Sequence, residues 1–270
     1  MDRLHQHGKV IMAGAGPGDP DLITLKLQKY LQTSDVILVD RLVNPEIIRR
    51  NVRPDTLIIQ CGKQGFNDSS SSQADINQQM VTHAIAGRTV VRLKGGDVAF
   101  FSNMLDELCE LRKNNIPYEI IPGITAASGA SAYTSIPLTA RGYAQGVQFI
   151  TLNPNIDFTL KQWDAIATTT DTLVFYMSAK NILHLGAKLL DHGSTEETAL
   201  AIIEQATTIY QQVHISTLRD VKRDFERKEF SSPSLVIVGR VVDLHHKFSW
   251  FNPTLDGSVF QELKNEINTN

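Results

Sequence analysis

The sequence predicts an α/β fold, on three observations. Residues 9–26, KVIMAGAGPGDPDLITLK, pass from a short apolar run through a glycine-bearing loop into helical spacing. Beyond them, short apolar runs alternate with amphipathic ones. Polar residues and a second glycine turn then follow the apolar runs closely, where open α/β sheets place ligand-contacting groups. Composition agrees: 270 residues, 42% hydrophobic and 20% charged with a formal net charge of -3, describe a soluble globular chain long enough for two modest lobes. No basic excess points to nucleic acid.

The first strand, over residues 10–13, is short, apolar and closed by glycine. Gly14, Gly16 and Gly18 admit backbone angles that a side chain forbids, and Pro17 stiffens the loop they form. Asp19 and Pro20 end it, and apolar positions from Leu22 predict a helix over 22–32. The glycines read G-A-G-P-G, without the G-x-G-x-x-G spacing, and no GK[ST] follows. A dinucleotide fingerprint and a phosphate-cradling loop are thereby disfavoured, and with them a Rossmann-type oxidoreductase, although Asp40 superficially offers the acidic residue that one requires. Taken alone, the loop is either a binding loop of another kind or a structural turn.

Next come a strand at 36–40 (VILVD), a short helix at 45–50 and a strand at 57–61 (LIIQC) that runs into Gly62 and Lys63. The serine-rich segment 64–73, QGFNDSSSSQ, predicts a mobile loop. A helix over 75–86 carries Ile76, Met80, His83 and Ala84 on one side. The strand at 89–93 (TVVRL) meets a second glycine turn, Lys94-Gly95-Gly96-Asp97, and a helix at 105–113 and a strand at 118–121 follow. Such alternation predicts a largely parallel sheet with helices on its faces. Asp40, Lys63 and Asp97 each stand just past an apolar strand, in ligand-contacting positions or as caps and solvated groups.

Residues 122–125, PGIT, break the pattern and predict a hinge, which gives an N-terminal α/β domain over 1–122, a C-terminal α/β domain over 123–251 and a polar, loose tail over 252–270. The run AASGASAYTS is a close-packed helix whose small residues either pack against neighbours or admit a ligand. Strands are predicted at 147–151, 172–177, 199–204 and 234–238, with helices at 182–192 and around 218–225. Cys61 and Cys109 lack companions for a disulfide, a CxxC metal site or a catalytic thiol and read as structural residues of a reduced interior. The opening MDRLHQHGKV holds no apolar signal-like segment and no run reaches the length of a membrane span, so the expected compartment is the cytoplasm.

GAGPGDPDLITLK, VILVDRLV, CGK, INQQMV, VVRLKGGD, PGITAASGASAYTSIPLT, TLVFYM and SPSLVIVGRVV, in that order, resemble the uroporphyrinogen-III C-methyltransferases of the tetrapyrrole methylase family, nearest to the methylase half of siroheme synthase. The likeness runs from about Gly8 to Phe251. It implies the class III methyltransferase fold, two α/β domains with S-adenosylmethionine in the cleft between them, in a homodimer. The resemblance implies cofactor contacts at Pro17, Gly95, Asp97, Phe100, Thr125, Ala126, Met177 and Ala206, with Asp97 hydrogen-bonding a polar group of the cofactor. It further implies Asp40 as proton acceptor, Lys63 as proton donor, and a small-molecule tetrapyrrole substrate whose carboxylates meet Arg41, Lys63 and Arg141. The product would be S-adenosylhomocysteine; no metal, nucleic acid or membrane is implied.

Departures from the family pattern cluster. After Asp97 the chain reads VAFFSNMLDE, with Asn103 in place of an arginine and Met104 and Leu105 in place of glycines. Ala140, Gly142, Leu152 and Asn153 replace other customary residues, the usual histidine after Lys63 is missing, and Ala206 replaces a glycine. Two expectations follow: methylation of uroporphyrinogen III or a close relative, or a divergent member that binds cofactor or tetrapyrrole without turnover.

Overall fold

Short strands that are apolar on both faces are stable only when helices cover both sides of their sheet. The computed structural model describes residues 8–61, 72–152, 157–253 and 255–260. It divides into two units, Met1–Thr125 with Ser258–Asn270 and Ala126–Gly257.

In the first unit, β1 (Lys9–Gly14), β2 (Val36–Asp40), β3 (Leu57–Cys61), β4 (Thr89–Lys94) and β5 (Tyr118–Ile121) form a sheet in the order β3-β2-β4-β1-β5. Every pairing is parallel, as the alternation predicts. Ile11, Ile37 and Val91 pack on one face with Leu27 and Leu31 of α1 (Leu25–Leu31) and Ile47 of α2 (Pro45–Asn51). Val10, Leu38 and Val90 pack on the other with Met80 of α3 (Gln73–Ile85) and Leu111 of α4 (Met104–Lys113).

The helix expected over 22–32 is shorter, because two caps divide that segment. Asp19 accepts from the Asp21 N–H and opens a 3-10 turn at Pro20–Leu22; Ile23 is extended; Thr24 then caps α1 by accepting from the Leu27 N–H. Helix α3 begins two residues earlier than expected. Ser72 and Asp75 cap it reciprocally, so the last two residues of the expected loop are its start. The remainder of that loop, 64–71, lies outside the described residues, as does Lys63.

The second unit holds α5 (Ala126–Thr134), β6 (Val147–Thr151), α6 (Leu160–Ala167), β7 (Thr172–Tyr176), α7 (Ile182–Asp191), β8 (Ala199–Glu204), β9 (Gln212–Thr217), α8 (Val221–Phe225), β10 (Ser234–Val238) and α9 (His245–Phe248). Its sheet runs β6-β7-β10-β8-β9. Only β6 and β7 pair in parallel; β10 is antiparallel to β7 and β8, and β9 to β8. Strand β9 and helix α6 go unpredicted by the sequence reading. β9 is a half-buried edge strand whose apolar positions, Val213 and Ile215, are too few to mark it. α6 is opened by a capping box, Thr159 with Gln162, and anchored by fully buried Trp163. The strand expected to include Met177 ends at Tyr176.

Phe260, in the tail expected to be polar and loose, is buried; residues 261–270 lie outside the described residues. Among the described residues no helix is long and apolar enough to cross a membrane.

The two cysteines differ. Cys61 is buried at the end of β3, and burial pushes its thiol up to about 11, whereas Cys109 is exposed on α4 and is no core residue. In the native protein at pH 8, a thiol reagent is expected to modify Cys109 and to reach Cys61 only after denaturation, since the thiolate is the reacting form. Peptide mapping of the labelled chain checks this.

Candidate functional site

In a parallel sheet the carboxyl ends of all strands share one edge, and the loops leaving that edge gather the residues that the sequence singles out. In the first unit, three loops from adjacent strands β4, β1 and β5 meet main chain to main chain. Gly16 and Gly96 exchange backbone hydrogen bonds at 3.1 and 2.8 Å, and the Ala15 N–H donates to the Lys94 carbonyl at 2.8 Å. A Cβ on Gly14 would lie 2.5 Å from the Gly96 oxygen, and one on Gly123 would lie 2.3 Å from that atom. Gly16 and Gly96 also have positive φ, at 80° and 67°. The first glycine loop, the second glycine turn and the PGIT segment are therefore one structure, with Pro17, Gly95 and Thr125 on it.

Asp97 holds this structure together. Its Oδ1 accepts from the Ala99 N–H at 2.7 Å and its Oδ2 from the Gly123 N–H at 2.8 Å. The carboxylate thus ties its own turn to the PGIT segment. The Phe100 N–H donates to the Asp97 carbonyl at 3.2 Å, which closes a turn from Asp97 to Phe100.

One strand over, Asp40 ends β2. The loop after it packs against the glycine turn, since a Cβ on Gly95 would stand 2.7 Å from the Leu42 oxygen. Asp40 Oδ1 accepts from Arg92 Nη2 at 2.6 Å. Arg92 Nε donates to Glu107 Oε1 at 2.8 Å, and Lys94 Nζ donates to Glu107 Oε2 at 2.7 Å. The side chains of Arg92 and Glu107 are 3% and 0% exposed and that of Asp40 is 28% exposed. The four groups form a buried ionic chain with formal charges that cancel. Burial works to lower the pKa of Arg92, but the Asp40 and Glu107 carboxylates outweigh it and hold the guanidinium above its ordinary range.

The second unit brings three of its expected residues to one edge of its sheet. Met177 follows β7 and Ala206 follows β8, and these strands pair with β10 at Tyr176↔Leu235 and Glu204↔Ser234, so both leave the sheet where β10 begins. Ala126 opens α5, and the Ala127 N–H donates to the Tyr176 hydroxyl at 3.1 Å, which anchors that helix beside Met177. Met177 has φ 55° and is 64% exposed. Ala206 is buried between two left-handed residues, Gln205 and Thr207, but is not itself left-handed, so its methyl group costs the backbone nothing. Behind it, burial tends to raise the pKa of Glu204, but hydrogen bonds from His214 and the Ser231 N–H hold that carboxyl below its ordinary value.

Arg41 and Arg141 are both exposed. Arg41 is next to Asp40; Arg141 stands in a tight loop closed by the Ala140↔Ala144 bridge, with Gly142 at φ 81°. In the departing segment, Phe101 and Asn103 are left-handed, at φ 52° and 54°. Asn103 does not cap α4; its Nδ2 donates to Asp106 Oδ2 at 2.8 Å.

Arg92, Glu107 and Tyr176 escape the sequence reading. An arginine within the otherwise apolar TVVRL of β4 was the available signal, because a charge in a central strand needs a buried partner. Which acid supplies it, 15 or 52 residues away, no local pattern tells.

Comparison with known proteins adds to this geometry. Residues 9–222 match the model of the tetrapyrrole (corrin/porphyrin) methylases. The chain is 44% identical over 244 residues to a siroheme synthase of Pseudomonas fluorescens, a match that covers 90% of this chain and 52% of that protein. It spans about half the length of the curated relatives it matches. Of the solved structures, native uroporphyrin III C-methyl transferase from Thermus thermophilus aligns with a TM-score of 0.74 at 28% identity, covering 88% of this chain and 94% of that one. The structure of that enzyme complexed with S-adenyl homocysteine aligns at 0.73 and 29% identity, with 88% and 94% covered.

Replacing Asp97 by alanine is expected to strip acceptors from two backbone amides and to lower the unfolding free energy by about 1–3 kcal/mol, even without ligand; urea unfolding measures it. Glu107→Ala leaves Arg92 and Lys94 buried without their shared carboxylate and is expected to cost more, about 3–5 kcal/mol, in the same assay.

Proposed function

Because the chain belongs to the tetrapyrrole (corrin/porphyrin) methylase family, we propose that it is an S-adenosylmethionine-dependent C-methyltransferase of uroporphyrinogen III, forming precorrin-2 by way of precorrin-1 in siroheme or cobalamin-type biosynthesis. The observation that carries this reading is the joining of the two glycine loops and the PGIT segment into one main-chain surface at the carboxyl edge of the first sheet. Relatives of known name support it: a siroheme synthase, and a uroporphyrin-III C-methyl transferase solved with S-adenyl homocysteine.

In this reading Pro17, Gly95, Asp97, Phe100 and Thr125 of the first unit and Ala126, Met177 and Ala206 of the second hold the cofactor. The exposed Met177 and the small Ala206 suit an apolar wall for adenine. Asp97 contributes chiefly by fixing the loops, since each of its oxygens already accepts a backbone hydrogen bond. The cofactor supplies an electrophilic methyl group when bound. Held in line with an electron-rich pyrrole carbon of the substrate, the bound cofactor would give up that methyl to carbon and keep the bonding pair on sulfur. The methylated macrocycle is then cationic and loses a proton, which Asp40 accepts. Its Oδ2 is suited to this, having no hydrogen-bond partner among the described residues. Lys63 is assigned as proton donor, and Arg41 and Arg141 pair with substrate carboxylates. The protein works in the cytoplasm as a homodimer, without metal, nucleic acid or membrane.

A second reading, binding without turnover, is favoured by one feature: the loop before α4, with Phe101 and Asn103 in left-handed backbone, carries no cation between Asp97 and Met104.

Calorimetry is expected to show binding of S-adenosylhomocysteine and none of NAD. Anaerobic incubation with uroporphyrinogen III and labelled methyl donor is expected to label the macrocycle. Binding with no methylation of any porphyrinogen moves the assignment to the second reading. Asp97→Ala is expected to weaken cofactor binding more than Asp40→Ala does, and Asp40→Ala to lower turnover more; equal effects on binding refute the division of roles.

A further inference from the structure

Arg92 touches Asp40 yet is almost wholly enclosed, and its own hydrogen bonds define what it can do. Its guanidinium donates from three directions: Nε to Glu107 Oε1 at 2.8 Å, Nη2 to Asp40 Oδ1 at 2.6 Å, and Nη1 to the carbonyls of Leu38 and Leu93, each at 3.4 Å. A planar group held at three corners cannot rotate, so the atom that meets Asp40 is fixed to the sheet. Glu107 alone would neutralise that cation. Lys94, at 2.7 Å from the other oxygen of Glu107, shares the carboxylate and leaves positive charge for Asp40. The asymmetry at Asp40 follows: Oδ1 is taken by Arg92, while Oδ2 of the carboxylate, which is more than a quarter exposed, has no hydrogen-bond partner among the described residues.

We propose that Arg92, braced by Glu107 and Lys94, is a positioning residue that clamps one oxygen of Asp40 so that the other faces the substrate as proton acceptor. This rests on the reading of Asp40 given above. In the transfer itself Arg92 neither gains nor loses a proton: the proton leaves the methylated macrocycle, its bonding pair returns to the ring, and Asp40 Oδ2 takes the proton. The cation then stays beside a neutral acid, so the clamp acts by orientation.

A lysine at position 92 keeps the charge but offers a point donor in place of the fork, and cannot span Glu107 and Asp40 in one plane. The experiment is a double-mutant cycle on the full chain with Arg92→Lys and Asp40→Asn, reading transfer of a radiolabelled methyl to uroporphyrinogen III so that slow variants stay measurable. Arg92→Lys is expected to lower kcat at least tenfold, with KM and S-adenosylhomocysteine affinity within about twofold of the parent. In the Asp40→Asn background it is expected to change kcat less than twofold, because the group it positions is already gone. Full kcat for Arg92→Lys, a loss confined to KM or cofactor affinity, or a loss that adds undiminished to that of Asp40→Asn overturns the inference. Asp40→Asn turning over at the parent rate overturns the proton-acceptor assignment itself, whereas a slow Asp40→Asn beside a fully active Arg92→Lys overturns the clamp alone. If Arg92→Lys does not fold by circular dichroism, Glu107→Gln is carried through the same cycle, with the same outcomes for and against.

Discussion

Everything proposed for this chain depends on an approach of main chain to main chain that leaves no room for side-chain carbon. Loops from the adjacent strands β4, β1 and β5 converge until the Gly96 carbonyl stands where a Cβ of Gly14 or of Gly123 would be. Such proximity brings polar backbone groups together and requires that they be paired. Gly16 and Gly96 pair with each other, and Asp97 takes the Gly123 N–H from the third loop. The carboxyl edge of the first sheet is thereby a preformed backbone surface. A ligand approaching it meets groups whose positions are set by the sheet register rather than by flexible side chains.

A second constraint lies one strand away. Placing Arg92 and Lys94 inside β4 is costly unless each charge finds a partner, and Glu107 serves both. Apolar residues of similar volume would fill the space with less electrostatic penalty, so stability alone does not account for the arrangement. What the charges add is direction: the ionic chain leads outward from fully buried Glu107 to half-buried Asp40, at the strand end where a parallel sheet exposes its chemistry.

The parallel first sheet was legible because its strands are compact apolar runs separated by unmistakable glycine and polar punctuation. The resemblance to a family then located residues that the structure brings to shared edges, Gly95 and Asp97 in one unit and Met177 and Ala206 in the other. Less legible were features defined by partners distant in sequence. VQFIT and TLVFYM read as strands, but nothing in them says that β10 will run antiparallel beside β7, while QVHIST shows too little alternation to announce an edge strand. The segment after Pro20 looked like one helix because its apolar spacing is continuous; Thr24, a capping residue within it, decides otherwise. Asp97 read as a group facing a ligand, and only the fold shows it accepting from amides 2 and 26 residues away.

The segment from Val98 to Asn103 joins these two constraints. At one end Asp97 is fixed to the glycine loops; at the other, Met104 begins the helix whose first turns carry Glu107 to Arg92 and Lys94. Few residues separate them, so the backbone must reverse within a short span, and it does so through left-handed Phe101 and Asn103. A left-handed phenylalanine is costly, about 1 kcal/mol or more, and persists only where its surroundings fix it. Here they do: the Ser102 hydroxyl donates to the Val98 carbonyl, and Asn103 binds Asp106. The two ends of this segment are thus held by Asp97 and Glu107, and its middle by Ser102 and Asn103. Substitution on its outer face therefore alters what the loop presents, while the backbone surface and the ionic chain on either side keep their geometry.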